Sequence, residues 1–316
     1  MDLESNGMKN EIIRIKSNDN TYQQGIMWLP EGEPKALLQV THGMTEHIGR
    51  YARLAEELTA QGIVVAGLDL RGHGTNSTDP DCASFGENGW KTSLEDIHLL
   101  YDDLNRRFPA CPHFMLGFSL GSFLLREYLN QYQDKLAGAA IVGTGTQPRL
   151  ILSLLMAVVK TQIKSSGFNK TTALVQKLSF ETYNQKFAPT RTTSDWLCAD
   201  EMELNKYLSD PLCKSSISSG LFYQLLSSMK RTGSSSAYEN WDKNLPILLL
   251  SGQDDPVGDR GKGVEKVYAS MKKSGLKQVS MHLFEGARHD LLHEENNGNA
   301  EEVRKILLDW IVTLEK

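Results

Sequence analysis

The chain has 316 residues, 40% hydrophobic and 23% charged, which excludes a disordered polymer and is enough to bury a large core. Its 34 basic residues face 39 acidic ones, a formal net charge of −5 with no basic block, and this argues against a nucleic-acid binder. Cys82, Cys111, Cys198 and Cys213 are widely spaced and form no zinc-like pattern. The opening stretch has early acids and no apolar core, unlike a signal peptide. The longest apolar run, Leu150–Val159, is about half of what a bilayer crossing needs. These features predict a cytoplasmic protein with reduced thiols.

In chain order, Glu11–Lys16 and Tyr22–Leu29 read as opening strands. Short, continuous apolar runs follow at Ala36–Val40, Ile63–Leu68, Phe114–Leu116, Gly138–Val142, Ile247–Leu250 and Val279–Phe284. Helical patterns lie between them at Arg50–Ala60, Ser93–Phe108, Ser119–Gln131 and, last, Ala300–Leu314. Ser93 and Asp96 have the spacing of an N-terminal capping pair. Uninterrupted apolar strands alternating with helices predict a mainly parallel sheet covered on both faces. Residues 147–240 break the rhythm: polar, mostly helical and without a clear strand, they read as an insertion between the sixth and seventh strands. The expected organisation is a core of 1–146 and 241–316 carrying an inserted helical unit of 147–240.

The sharpest motif is Gly117-Phe-Ser119-Leu-Gly121. As a bare G-x-S-x-G pattern it is weak, but it sits between an apolar strand and a helix, the strand–turn–helix setting its chemistry requires. The glycines let strand and helix approach, and the serine projects at a helix N-terminus that favours developing negative charge. Ser119 is therefore the expected nucleophile, and the alternative is a glycine-rich turn whose serine only caps the helix. A serine needs a base, and the acid and histidine are expected later in the chain, in that order. Of the late histidines, His282 alternates within a strand and reads as structural, and His293 reads as a helix-surface residue. His289 lies in a loop after the last strand, where it can reach the carboxyl edge of the sheet. The acid follows Ile247–Leu250, where Asp254 and Asp255 compete. Asp255 is preferred because the residue before Pro256 is biased to extended backbone, leaving Asp254 to cap the turn. After the third strand, Gly43 can turn the backbone so that the Met44 N–H joins that of Leu120 in a two-donor oxyanion site. His42 reads as a buried histidine that shapes this loop.

Together, His42-Gly-Met-Thr-Glu-His47, Asp69-Leu-Arg-Gly-His-Gly74, Gly117–Gly121, Gly252-Gln-Asp-Asp-Pro256 and Glu285-Gly-Ala-Arg-His289 resemble the α/β-hydrolase superfamily. Within it, they resemble the monoacylglycerol lipase and lysophospholipase group of S33-type serine hydrolases. The resemblance covers nearly the whole chain outside the insertion. It implies an α/β-hydrolase fold with a mostly parallel eight-stranded sheet and a helical cap formed by 147–240. It also implies Ser119 as nucleophile, Asp255 as acid, His289 as base, and Met44 and Leu120 as oxyanion donors.

The expected partner is a small-molecule acyl ester, lipid-like and single-chained, with no cofactor, no metal and no obligate protein partner. An S33-type aminopeptidase and a non-catalytic ligand-binding protein are the alternatives. His289-Asp-Leu-Leu-His293 imitates a zinc-binding helix, but an aspartate replaces the expected glutamate. Gly258–Gly263 fails the spacing of a phosphate-binding loop. Leu150–Val159 and Gly220–Leu226 are expected either to wall a tunnel for one acyl chain or to pack the cap onto the sheet. Through Leu150–Val159 the cap could also touch a membrane surface transiently.

Overall fold

A computed structural model of the protein describes residues 8–132, 135–295 and 299–315. Met1–Gly7, part of the stretch read for a signal peptide, lie outside them. Along the chain the elements are β1 (Lys9–Lys16), β2 (Tyr22–Leu29), β3 (Ala36–Thr41), α1 (Ala52–Thr59), β4 (Ile63–Leu68), β5 (Cys82–Ala83), α2 (Gly89–Arg107), β6 (His113–Phe118), α3 (Leu120–Gln131) and β7 (Gly138–Val142). There follow α4 (Arg149–Ser166), α5 (Ala173–Gln176), α6 (Thr182–Asn184), α7 (Glu201–Ser209), β8 (Ser216–Ile217), α8 (Ser219–Thr232), β9 (Ile247–Gly252), α9 (Lys262–Lys273), β10 (Val279–Phe284) and α10 (Asn299–Leu314).

Eight strands form one sheet in the order β1-β2-β4-β3-β6-β7-β9-β10. The first two pairings, β1 with β2 and β2 with β4, are antiparallel, and the rest are parallel. This is the α/β-hydrolase fold. Every residue of β3, β4, β6, β7 and β9 is buried, so these strands read as unbroken apolar runs. The period-2 alternation survives inside the runs. Met115, Ala139, Ile141, Ile247 and Leu249 face a core shared with α2, α3, α8 and α9. Phe114, Leu116, Ala140, Val142, Leu248 and Leu250 face a second core closed by α1 and α10.

Residues 147–240 leave the sheet after β7 and return before β9. Within them α8 packs on α3 and α4 packs on α8. Arg126 of α3, fully buried, ties both ends of this segment: Nη1 donates to Thr144 Oγ1 and Gly145 O, and Nη2 donates to Thr232 O and Tyr238 Oη. A two-residue parallel ladder, β5 with β8, ties the segment to the loop after β4. Two residues of extended chain carry too little pattern to have been read from sequence.

The expected start of the second helix needs correction. The helix begins at Gly89, so Ser93 and Asp96 are buried one turn inside it and do not cap it. Asp96 instead takes the Arg71 guanidinium at 2.6 Å, from the Asp69–Gly74 loop. An ion pair between distant segments has the same local spelling as a capping pair.

Candidate active site

The carboxyl ends of β3, β6, β7, β9 and β10 share one edge, and the expected residues collect there. Ser119 closes β6 with φ 50° and ψ −114°, a left-handed conformation that costs a non-glycine residue on the order of 1–3 kcal/mol. The flanking glycines show why the strain persists. A Cβ on Gly121 would lie 2.0 Å from Thr41 O, and one on Gly117 would lie 2.4 Å from Gly121 O. The first turn of α3 therefore presses directly on β3 and β6. Ser119 N donates to Val142 O at 2.9 Å, which fixes the turn to β7 as well.

His289 lies between two aromatic rings, 5.1 Å from Phe118 and 5.2 Å from Trp196. Its Nε2 is 2.7 Å from Ser119 Oγ, and its Nδ1 is 2.9 Å from Asp255 Oδ2. A carboxylate only accepts, so Nδ1–H is the donor there and Nε2 is left to accept from the serine hydroxyl. Asp255 is wholly buried, and its second oxygen accepts from Val257 N at 2.8 Å. Asp254 is exposed and makes no contact with His289. Burial works against a charged His289, but the charge and hydrogen bond of Asp255, helped by Asp290 and Glu46, outweigh it and hold the ring above its ordinary value.

The expected oxyanion donors sit on either side of Ser119. Leu120 is the first residue of α3, so no earlier turn of the helix can use its N–H. Met44 lines the same cavity as Ser119. His42 is buried and neutral in character: Leu70 N donates to its Nε2, its Nδ1 faces Gly43 O, and burial holds its pKa down.

Sequence reasoning assigned no role to Glu46, Arg50 and Asp290, which lie beneath the site. Glu46 Oε1 accepts from Gly43 N at 2.6 Å and from Tyr51 Oη at 2.8 Å, so one buried carboxylate sets the turn that presents Met44. Arg50 bonds both Glu46 and Asp290. Asp290 is held below the usual carboxylate range because Arg50 and His293 outweigh the cost of its burial. His293 is therefore no helix-surface residue. It lies in a turn, with Nδ1 2.7 Å from Asp290 Oδ1 and Nε2 3.0 Å from Arg50 O. His289 and His293 face different partners and do not converge as metal ligands would. The only signal available in sequence was the i,i+4 spacing of Glu46 and Arg50.

One further set could in principle hold a metal. His47, Asp210 and Cys213 bring potential ligand atoms within 4.8 Å of one another. His47 Nε2 already bonds Asp210 Oδ2 at 2.8 Å, and burial pushes the Cys213 thiol up, away from the thiolate a metal requires.

Ser119 and His289 open into a cavity of about 230 Å³. Its lining is mixed: Phe118, Phe180, Trp196 and Leu197 are apolar, and Thr45, Glu46, Arg50, Glu181, Tyr207 and Lys214 are polar or charged. No residue of Leu150–Val159 or Gly220–Leu226 lines it, which corrects the expected tunnel. Leu221, Phe222 and Leu226 are buried in the core against α3, and the apolar residues of α4 divide between that core and solvent.

A family model described as "Serine aminopeptidase, S33" matches residues 32–296. The chain belongs to the serine aminopeptidase S33 family. Similar proteins include the monoglyceride lipase of Mus musculus, 28% identical over 288 residues, covering 90% of this chain and 85% of that one. The monoacylglycerol lipase of Mycolicibacterium smegmatis is 23% identical over 300 residues, covering 91% of each chain. Among solved structures, a carboxyl esterase from Bacillus coagulans in complex with glycerol superposes with a TM-score of 0.88 at 24% identity, covering 98% of this chain and 100% of that one.

The strain at Ser119 has a measurable consequence. Ser119→Gly relieves it, whereas Ser119→Ala keeps a Cβ in the same conformation. Chemical denaturation should find the glycine variant about 1 kcal/mol more stable than the alanine variant, after the entropy cost of glycine is subtracted. Equal stabilities would show that the turn is unstrained.

Proposed function

We propose that this carboxylic-ester hydrolase works through an acyl-enzyme on Ser119 and acts on single-chain, lipid-like acyl esters of the monoacylglycerol or lysophospholipid type. The observation that carries the reading is the continuous hydrogen-bonded series from Ser119 Oγ through His289 to Asp255, opening into a cavity lined by both apolar and polar side chains. Ser119 Oγ attacks the ester carbonyl as His289 Nε2 takes its proton, and Asp255 holds the tautomer and stabilises the imidazolium. The N–H groups of Met44 and Leu120 receive the oxyanion. The alkoxide leaves with the proton from His289. Water, deprotonated by the same nitrogen, then attacks the acyl carbonyl and frees Ser119. No cofactor enters this sequence. The acyl chain lies along Phe180, Trp196 and Leu197, and the alcohol part lies toward Thr45 and Tyr207.

The names of the relatives support ester substrates, although the family model carries an aminopeptidase description. An aminopeptidase needs a carboxylate for the substrate amine. Of the three carboxylates that line the cavity, Glu46 and Asp290 are buried and both taken by Arg50, and Glu181 is exposed at its surface. In this reading 147–240 is the cap that covers Ser119, and the protein works in the cytoplasm, as its four unpaired cysteines suit.

Ser119→Ala should abolish labelling by a fluorophosphonate probe and lower ester hydrolysis by several orders of magnitude. Asp255→Asn should lower kcat by orders of magnitude, and Asp254→Asn by less than about threefold. Retained labelling of the alanine variant, or a reversed order of the two aspartates, contradicts the assignment.

His289 must be neutral to accept the serine proton, and its pKa is raised. The kcat/KM profile should therefore fall as pH drops through an apparent pKa above the ordinary 6.5. An acidic limb centred below 6 would show that Asp255 does not govern the ring.

The cap also presents α4 to a membrane surface in this reading. Leu150 is 72% exposed and Leu154 61% exposed, with Ile151 and Val158 beside them. The exposed cations Arg149, Lys160 and Lys164 lie on the same helix, suited to anionic lipid. No helix among the described residues is long and apolar enough to cross a membrane. The double variant Leu150→Ser/Leu154→Ser should bind anionic vesicles at least 10-fold more weakly. Unchanged binding removes α4 from the contact.

A further inference from the structure

The lining of the cavity contains one charge that the proposed chemistry leaves unused. Lys214 is only 6% exposed, and it lines the same cavity as Ser119 and His289. Its backbone is anchored next to the oxyanion loop, where Lys214 N donates to Thr45 O at 2.8 Å. Among the described residues, no oxygen takes a hydrogen bond from its ammonium and no carboxylate forms an ion pair with it. Its charge acts only through space, on exposed Asp79 and on the buried His73 ring.

An ammonium that lines a cavity and donates to no acceptor of the protein can take a partner from what binds there. The carboxylates at hand are engaged or exposed. Glu46 and Asp290 are bonded to Arg50, Asp210 to His47, and Glu181 stands on the exposed part of the cavity wall. The missing partner is then an anion brought by the ligand.

We infer that Lys214 is a specificity-determining residue that receives an anionic group, a phosphate or a carboxylate, on the alcohol part of the acyl ester. This rests on the ester-hydrolase reading and narrows it, from neutral and charged single-chain esters alike to those with an anionic head group. The assignment to the alcohol part follows from charge. Lys214 lines the cavity with Thr45, Glu46, Arg50 and Tyr207, and a hydrocarbon acyl chain carries no anion for it, so the anion belongs to the alcohol. One charge-assisted hydrogen bond made in a desolvated site is enough to set a preference of about 10- to 100-fold.

The test compares three octanoyl esters below their aggregation concentrations: those of glycerol, of glycerol 3-phosphate and of glyceric acid. Wild-type enzyme should show a higher kcat/KM on at least one anionic ester than on the neutral one, and the larger of the two values identifies the anion. Lys214→Met and Lys214→Gln should lower the anionic-to-neutral ratio at least 10-fold, mainly through KM, and Lys214→Arg should keep it within about fivefold. Each variant is first shown to label with the fluorophosphonate probe. A wild-type enzyme without preference for either anion, or a ratio unmoved by Lys214→Met and Lys214→Gln, overturns the inference while leaving the ester hydrolase intact. Failure of wild-type enzyme both to label and to hydrolyse any of the three esters would overturn the ester-hydrolase reading itself.

Discussion

The close approach of α3 to β3 governs the carboxyl edge of this molecule. Gly121 lies so near Thr41 O that a single methyl group would collide with it. The turn between β6 and α3 must therefore be sharp, and Ser119 is forced into a left-handed conformation that offers its hydroxyl to the cavity. The same contact aligns the end of β3 with the start of α3, so the loop bearing Met44 and the first N–H of the helix flank one serine. The strain at Ser119 and the position of its hydroxyl follow from one packing requirement.

Around this point, charge is arranged in buried pairs. Glu46 shapes the Met44 loop, Arg50 bridges Glu46 to Asp290, and His293 completes the set from the far end of the chain. Arg50 also lies over the Tyr207 ring, at 5.1 Å, and Tyr207 Oη is 2.8 Å from Thr45 Oγ1. The segment bearing Tyr207 is thereby joined to the loop of Met44 through the same arginine. The loop of His289 is fastened to that segment as well: Glu294 accepts from Ala199 N and Arg288 N, and Arg288 donates to Asp195 O. Movement of residues 195–210 would thus be felt at both His289 and Met44.

How much of this was legible in the sequence follows from the range of each interaction. The five central strands were readable because burial on both faces writes continuous apolar runs, and Ser119 because its glycines and flanking elements are local. Asp255, next to the surface-facing Asp254, was separable only through the restriction Pro256 places on it. The Glu46–Arg50–Asp290 network was not legible, since its partners lie up to 240 residues apart and hydrogen-bond complementarity over that distance leaves no periodic trace. The two apolar stretches of the insertion misled for a related reason. Leu221 and Leu226 are apolar because they meet α3, and Leu150 and Leu154 are apolar while facing outward, so composition alone could not say which of them met a substrate.

The central claim is that the ester's acyl group passes through Ser119 Oγ. Rapid acid quenching of the enzyme during turnover of an octanoyl ester, followed by peptide mass spectrometry, tests it directly. The account predicts an octanoyl adduct confined to the peptide containing Ser119, formed and lost at the rate of turnover. An adduct on another residue, or full turnover with no adduct on the Ser119 peptide, would contradict it.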